Sequence, residues 1–329
     1  MKPKFILNRT DDVFEYEILC NVSSQAVTVT SYLLCAFVGS LSVLVTCGNC
    51  LVIISIMYFK QLHTPTNYLI LSLAVADLLV GIIVLPFSTV LSVTLCWDVT
   101  GVLCKVKNTF DVFLCTSSIL NLCFISVDRY YVVCQPLAYK TKMTVRTVVI
   151  MILLTWTASA LLGVGTTLRG LDPGQSHQKY HVFQIQKSAE MGPVFAFYVP
   201  TFIILMIYLK IFRVAHRQAR SIQNNTKCKA GVSKMERKAT KTLAIVVGVF
   251  LLSWSPFFLS VSFYRLSGNT IQLTLIEAFK WFGFSNSLLN PFVYAFFYKW
   301  FRSAFKMIIF VKIFRQDVSN AKLSSFTIC

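Results

Sequence analysis

The sequence predicts an all-α membrane protein: a seven-transmembrane helix bundle with a short amphipathic helix after the seventh span. Three observations carry this. Hydrophobic residues make up 56% of the 329 residues and charged residues only 13%, about half the charge of an ordinary soluble domain. The apolar residues fall in seven long blocks, each reaching the roughly 20 residues a helix needs to cross a bilayer. Finally, 21 of the 31 Lys and Arg lie on one side of those blocks, where the only acids are Asp128, Glu236 and Asp317.

That sorting accounts for the net charge of +18. Basic loops on one face are the mark of the cytoplasmic side, so nucleic acid is not an expected partner. With seven spans the N-terminus is then extracellular. Residues 1–29 are polar, hold Asp11, Asp12, Glu15 and Glu17, and show no cleavable signal. They form an outer segment, and the first span is its own insertion signal. The sequons at Asn8 and Asn21 are expected to be glycosylated there.

The spans cover about 30–58, 66–92, 102–134, 146–168, 191–216, 237–263 and 272–296. Prolines at 86, 200, 256 and 291 predict kinks within them. An outer loop, 169–190, and a basic inner loop, 217–236, are the longer connections. The membrane domain thus runs over 30–297. A membrane-surface amphipathic helix over 298–312 follows, and 313–329 is a cytoplasmic tail. No internal repeat is visible, which disfavours a transporter. The four histidines sit in loops or at span ends, so no metal cluster is expected.

Within the third span, Asp111 lies eighteen residues before Asp128-Arg129-Tyr130, roughly 27 Å along one helix. Charges at such depth are costly and mark function. No Lys or Arg lies in the outer halves of the other spans except Lys280. Asp111 is therefore paired with Lys280, hydrated at the helix end, or reserved for a ligand cation. Trp254, Phe257, Phe258, Trp281 and Phe284 come from two other spans, and aromatic faces hold an ammonium by about 0.5–2 kcal/mol each. Cys115 is carried in the same ligand set, beside its plainer role as a small packing residue. Single polar residues elsewhere serve either as helix glue or as oxygen ligands of a small cation: Asp77, Ser118, Asn286, Ser287 and Asn290.

Gly48-Asn49, Leu-Ala-Val-Ala-Asp77, Asp128-Arg129-Tyr130, Trp156, Pro200, Ser-Trp254-Ser-Pro256 and Asn290-Pro291-Phe-Val-Tyr294 fall one per span, in order. Over about 30–312 the chain resembles the rhodopsin-like G-protein-coupled receptors. The extension Tyr298-Lys-Trp300-Phe301 is similar to the trace amine-associated receptor signature. The resemblance implies a plasma-membrane receptor, not an enzyme, that binds a small protonated amine at Asp111. It implies coupling to a heterotrimeric G protein with a rise in cAMP, with olfaction as a candidate setting. Arrestin and a receptor kinase are implied partners. No cofactor is implied beyond a sodium ion at Asp77. Arg129, held at rest by Asp128 and Glu236, would be freed when the sixth span swings about Pro256, with Tyr208 and Tyr294 steadying the open form. Pro200, Ile119 and Phe250 would connect that movement to a pocket floored by Trp254. A serotonin-like biogenic-amine receptor is the alternative. An opsin is excluded by Phe284, which stands where retinal needs a lysine.

The chain departs from the family in three places. Cys104 matches the cysteine that pairs with the second outer loop, yet 169–190 contains no cysteine. Cys104 then pairs with Cys20 or Cys96, or the staple is lost, a change worth roughly 2–5 kcal/mol in small domains. Gly192 and Pro193 replace catechol-binding serines, which argues against catecholamines. Phe284 replaces a tyrosine whose hydroxyl would bond the aspartate. With one donor fewer, methylated amines are expected to be tolerated, so that in competition binding primary amines do not bind far better than their tertiary analogues. A strong preference for the primary forms contradicts this.

Overall fold

In the computed structural model, residues 11–93, 101–169, 197–224, 230–266, 273–297 and 299–309 are described. Among them every regular element is helical. Asn8, Cys96 and the 169–190 loop, beyond Arg169, lie outside the described residues, as do the side chains of Cys20, Asn21, Cys104 and Glu236.

The first helix, Asp11–Tyr58, begins well before the expected span. No Gly or Pro interrupts 11–38, so nothing in that stretch breaks the helix. A turn at Lys60–Leu62 leads into the second span, Pro65–Leu79, whose N-cap Thr64 accepts from the Asn67 amide. Pro65 stands in the first turn, where a missing N–H is harmless. The second span then widens over Val80–Val84, where the Leu85 amide reaches back to the Val80 carbonyl, and runs on as Leu85–Val93. Pro86 is the cause: it has no N–H to give, and its ring crowds the carbonyl four residues back.

The third span is Gly101–Cys134 and the fourth Val145–Arg169. Between them Pro136–Lys142 forms a short helix in what the sequence suggested was a simple turn. The fifth and sixth spans, Val199–Asn224 and Ala230–Leu266, extend far into the stretch expected to be the inner loop 217–236. The Ala, Gln, Arg, Lys and Glu residues there are good helix formers and carry the helices past the membrane. Pro256 stays inside a continuous helix.

The seventh span is split into Leu273–Phe284 and Asn286–Phe297. Pro291, expected to kink the span without breaking it, lies inside Asn286–Phe297, and the interruption comes at Ser285. The Ser285 hydroxyl donates to the Phe282 carbonyl there, and the next turn tightens, with the Leu288 amide on the Ser285 carbonyl. Pro291 instead leaves the Ser287 carbonyl without its helical donor, and Asn49 Nδ2 of the first span supplies one at 3.1 Å. After the seventh span, Lys299–Ile309 forms the expected amphipathic helix. Ala304 and Met307 bury against Phe59 and Leu62.

Four helices among the described residues are long and apolar enough to span on their own, with a shorter apolar helix at Val247–Phe263. Over an eighteen-residue apolar stretch of each, Pro65–Thr89 is 61% buried and Lys105–Cys134 56%, against 28% for Cys35–Tyr58 and 22% for Val145–Leu168. The second and third spans are thus central, while the first and fourth turn most of their surface outward. The third span packs most heavily on the fourth and fifth, and also meets the second and sixth. Gly163 permits the close approach of the fourth span, since a Cβ there would lie 2.9 Å from the Thr109 carbonyl. Large side chains such as Phe37, Leu161, Phe202 and Leu252 face outward, as expected for helices in lipid.

Candidate functional site

The third span carries chemistry at three depths. At its outer end Lys107 Nζ donates to Asp111 Oδ2 at 2.6 Å, with each side chain only 13% exposed. Residues four apart lie on one helix face, so the cation that reaches Asp111 comes from its own helix and not from Lys280. The sequence reading looked for the partner on other spans and missed it. Asp111 Oδ1 is buried and has no hydrogen-bond partner among the described residues. A small hollow of about 30 Å³ lies against the pair, lined also by Ile83, Val84, Phe87, Val106 and Phe110.

The aromatic residues expected around a cation do form one cluster. Trp254 meets Phe284 at 5.3 Å and Phe257 at 5.9 Å edge to face, and Phe258 at 5.8 Å in a tilted arrangement, between ring centroids. Phe258 stacks on Phe197 of the fifth span at 4.2 Å, a member the sequence reading did not name. Trp281 is partly buried against the same core, as are Phe110 and Cys115. Gly283 is the other missed residue. A Cβ there would lie 2.6 Å from the Trp254 ring, so only glycine lets the seventh span pass so close to the indole. A glycine beside Phe284 in an apolar span was the available signal. Below the cluster, Phe250 tilts against Trp254 at 6.5 Å. Phe250 and Ile119 are fully buried in the common core, and the Pro200 carbonyl accepts from Cys123 Sγ at 3.5 Å.

At mid-depth Asp77 is completely buried. Its Oδ1 accepts from Ser287 at 2.8 Å and Ser118 at 3.4 Å, and its Oδ2 from Asn290 at 2.7 Å. Four of the five expected residues therefore converge from three spans. Asn286 is buried nearby in sequence, but its Oδ1 has no hydrogen-bond partner among the described residues. Asn290 Oδ1 is likewise unpartnered. The donor set is hard oxygen with one carboxylate, which suits a small cation.

At the inner end Arg129 pairs with Asp128 Oδ2 through Nη2 and through Nε at 2.9 Å. The pair is buried, so it is not the exposed surface bridge that would count for little. Thr66 of the second span donates to Asp128 at 2.8 Å and also receives the Arg129 guanidinium. Tyr139, from the short inner helix, donates to Asp128 Oδ1 at 3.3 Å. Burial, and then the Asp128 charge, raise the Tyr139 phenol above its usual pKa, which keeps the proton it donates. Thr66 and Tyr139 were not legible beforehand, because their approach depends on how the second span packs on the third and how the short helix Pro136–Lys142 folds back. Tyr294 is buried in the core and Tyr208 half-buried against it.

Among known proteins, the family model of the 7 transmembrane receptor (rhodopsin family) matches residues 48–294. The chain is 44% identical over 294 residues to trace amine-associated receptor 1 of Macaca mulatta, covering 84% of this chain and 87% of that one. It is 38% identical over 321 residues to trace amine-associated receptor 4 of Rattus norvegicus, with 92% of each covered. With trace amine-associated receptor 7e of Mus musculus the identity is 41% over 308 residues, covering 88% and 86%.

The Gly283–Trp254 contact generates one prediction. Gly283→Ala should force the indole aside and cost about 1–3 kcal/mol of stability, read as a lowered Tm of the purified protein. An unchanged Tm contradicts the close packing.

Proposed function

The chain belongs to the rhodopsin family of seven-transmembrane receptors, among the trace amine-associated receptors, and on that footing we propose that it binds small protonated amines at Asp111 and signals through a heterotrimeric G protein. It is an integral membrane protein and not an enzyme. The observation that carries the ligand assignment is the unpartnered, buried Oδ1 of Asp111. A carboxylate oxygen away from water needs a donor, and an ammonium group supplies three N–H bonds and a charge. The cluster of Trp254, Phe257, Phe258 and Phe284 offers apolar and π surface for the rest of an amine.

Signalling follows from bistable contacts. The Asp128–Arg129 pair, bonded also to Thr66 and Tyr139, would keep the guanidinium occupied in the resting form. An amine that binds the open arrangement more tightly shifts the population towards it. Freed from its clamp, Arg129 presents a guanidinium to the G protein. Coupling that raises cAMP, placement in the plasma membrane with the N-terminus outside, an olfactory setting, and arrestin and kinase regulation belong to the same proposal. Gly192 and Pro193, where serotonin-like and catechol receptors need hydroxyls, weigh against the biogenic-amine alternative.

Around Asp77, the residues Ser118, Ser287 and Asn290 fit a sodium ion, which would supply a counter-charge to the buried carboxylate.

Two tests address this reading. Asp111→Ala, measured beside the parent receptor at matched surface expression against an amine panel, should weaken responses by at least about a hundredfold, or about 2.7 kcal/mol. Responses that survive intact overturn the assignment. Asp77→Asn should abolish any difference in amine affinity between sodium chloride and potassium chloride buffers. A sodium effect that persists in the variant removes Asp77 from the cation site.

A further inference from the structure

One face of the fifth span changes character along its length. Phe202, Met206 and Leu209 are exposed, and the same helical register continues through Arg213 and His216, which are exposed as well. Ile204 and Ile211, on the opposite side, are buried in the bundle. The face that meets hydrocarbon therefore turns basic without turning inward.

Lys210, Arg213 and Arg217 stand at i, i+3 and i+7 on that side, all three exposed. They form a stripe about 10 Å long. Its depth is set by Lys210, whose Nζ lies 4.9 Å from the centre of the Tyr130 ring. Tyr130 follows Arg129 at the inner end of the third span, so the stripe begins at the inner membrane surface. Among the described residues no ion pair reaches Arg213 or Arg217, and residues 191–235 contain no Asp or Glu at all.

Direction decides what such a stripe meets. A protein docking on Arg129 enters between the inner ends of the spans, whereas these three side chains point sideways from the bundle. What lies there is the headgroup layer of the inner leaflet, whose anionic lipids attract basic clusters beside a span. A headgroup with a single net charge cannot match three cations held over two turns. An inositol headgroup with ring phosphates can, since each monoester phosphate carries about −1.5 to −2. Guanidinium groups take phosphate oxygens in pairs. Met206, Leu209 and Phe212, all exposed, give the acyl chains an apolar surface beside the stripe.

We propose that Lys210, Arg213 and Arg217 form a site on the outward face of the fifth span for an inner-leaflet inositol lipid bearing two or more ring phosphates. Tyr130 positions Lys210 at the membrane end of the site, so the headgroup sits beside the residue that follows Arg129. The site is independent of the amine reading at Asp111.

The test counts lipids bound to the purified full-length receptor by native mass spectrometry, with phosphatidylinositol 4,5-bisphosphate and phosphatidylserine in competition. The bisphosphate should bind the parent at least about tenfold more tightly. Arg213→Gln with Arg217→Gln should lose about tenfold for the bisphosphate and little for phosphatidylserine. Lys140→Gln with Lys142→Gln, on the short inner helix, should leave both lipids unchanged. Inositol 1,4,5-trisphosphate, which lacks acyl chains, should compete at least tenfold less well than the lipid. Should the double arginine variant fail to purify, Lys210→Met and Arg217→Gln singly decide the matter, each losing about threefold. The proposal is overturned if phosphatidylserine binds as tightly, if the Lys140 and Lys142 changes cost as much as the arginine changes, or if the free headgroup competes equally. It is equally overturned if the arginine variant keeps its lipid and loses only G-protein coupling, which would give the stripe to the G protein.

Discussion

Hydrocarbon offers no hydrogen bonds, so each charge and each freed backbone group within the bundle must find its partner in the protein. Much of the arrangement follows from that constraint. Asp77 is satisfied by two serines and an asparagine from the third and seventh spans. Pro291 strands a carbonyl, and Asn49 reaches across from the first span to cap it. Arg129 is buried with Asp128 and Thr66 receiving it. The polar contacts then fix which faces of the helices meet, and the apolar core fills in around them.

The third span is the frame on which these contacts are hung. It carries an ion pair at each end, Lys107 with Asp111 and Asp128 with Arg129, and in both the two partners belong to the same helix. Asp111 and Arg129 thus each find an opposite charge on their own helix. What ties the rod to its neighbours is hydrogen bonding and shape. Thr66 and Tyr139 hold its inner end. Gly163 lets the fourth span press against its outer half. The sixth span, which carries Trp254 and Pro256 in one continuous helix, shares with the rod an apolar core that includes Phe250, Trp254, Leu114 and Ile119. Apolar contacts slide at lower cost than ion pairs break.

Several features were legible before any coordinates. The polar residues Asp77, Ser118, Ser287 and Asn290 stand out because each is alone in an apolar run, and the structure brings them together. The aromatic set was legible for a similar reason, since Trp254, Phe257 and Phe258 share one stretch of the sixth span. Less legible were contacts that depend on the azimuth of a side chain. Lys107 is four residues from Asp111, yet a search for a counter-ion across spans passes over a cation one turn away. Asn286 looked equivalent to Ser287 by position, but adjacent residues on a helix point about 100° apart, and the bonds to Asp77 come from Ser287 and Asn290.

By itself, then, the sequence determined that the chain is an all-helical membrane receptor and which family it joins. Those properties depend on composition over some twenty residues and on motif order, and both are one-dimensional. It also nominated the charged and aromatic residues, since any ionisable group in an apolar span is conspicuous. Only the tertiary structure decided which donor meets which oxygen: Lys107 on one side of Asp111, Thr66 and Tyr139 around Asp128, the break at Ser285 and not at Pro291, and the bare backbone of Gly283 against Trp254. These depend on helix rotation and on approaches of a few tenths of an ångström, which arise when several spans pack at once and leave no periodic trace in any one of them.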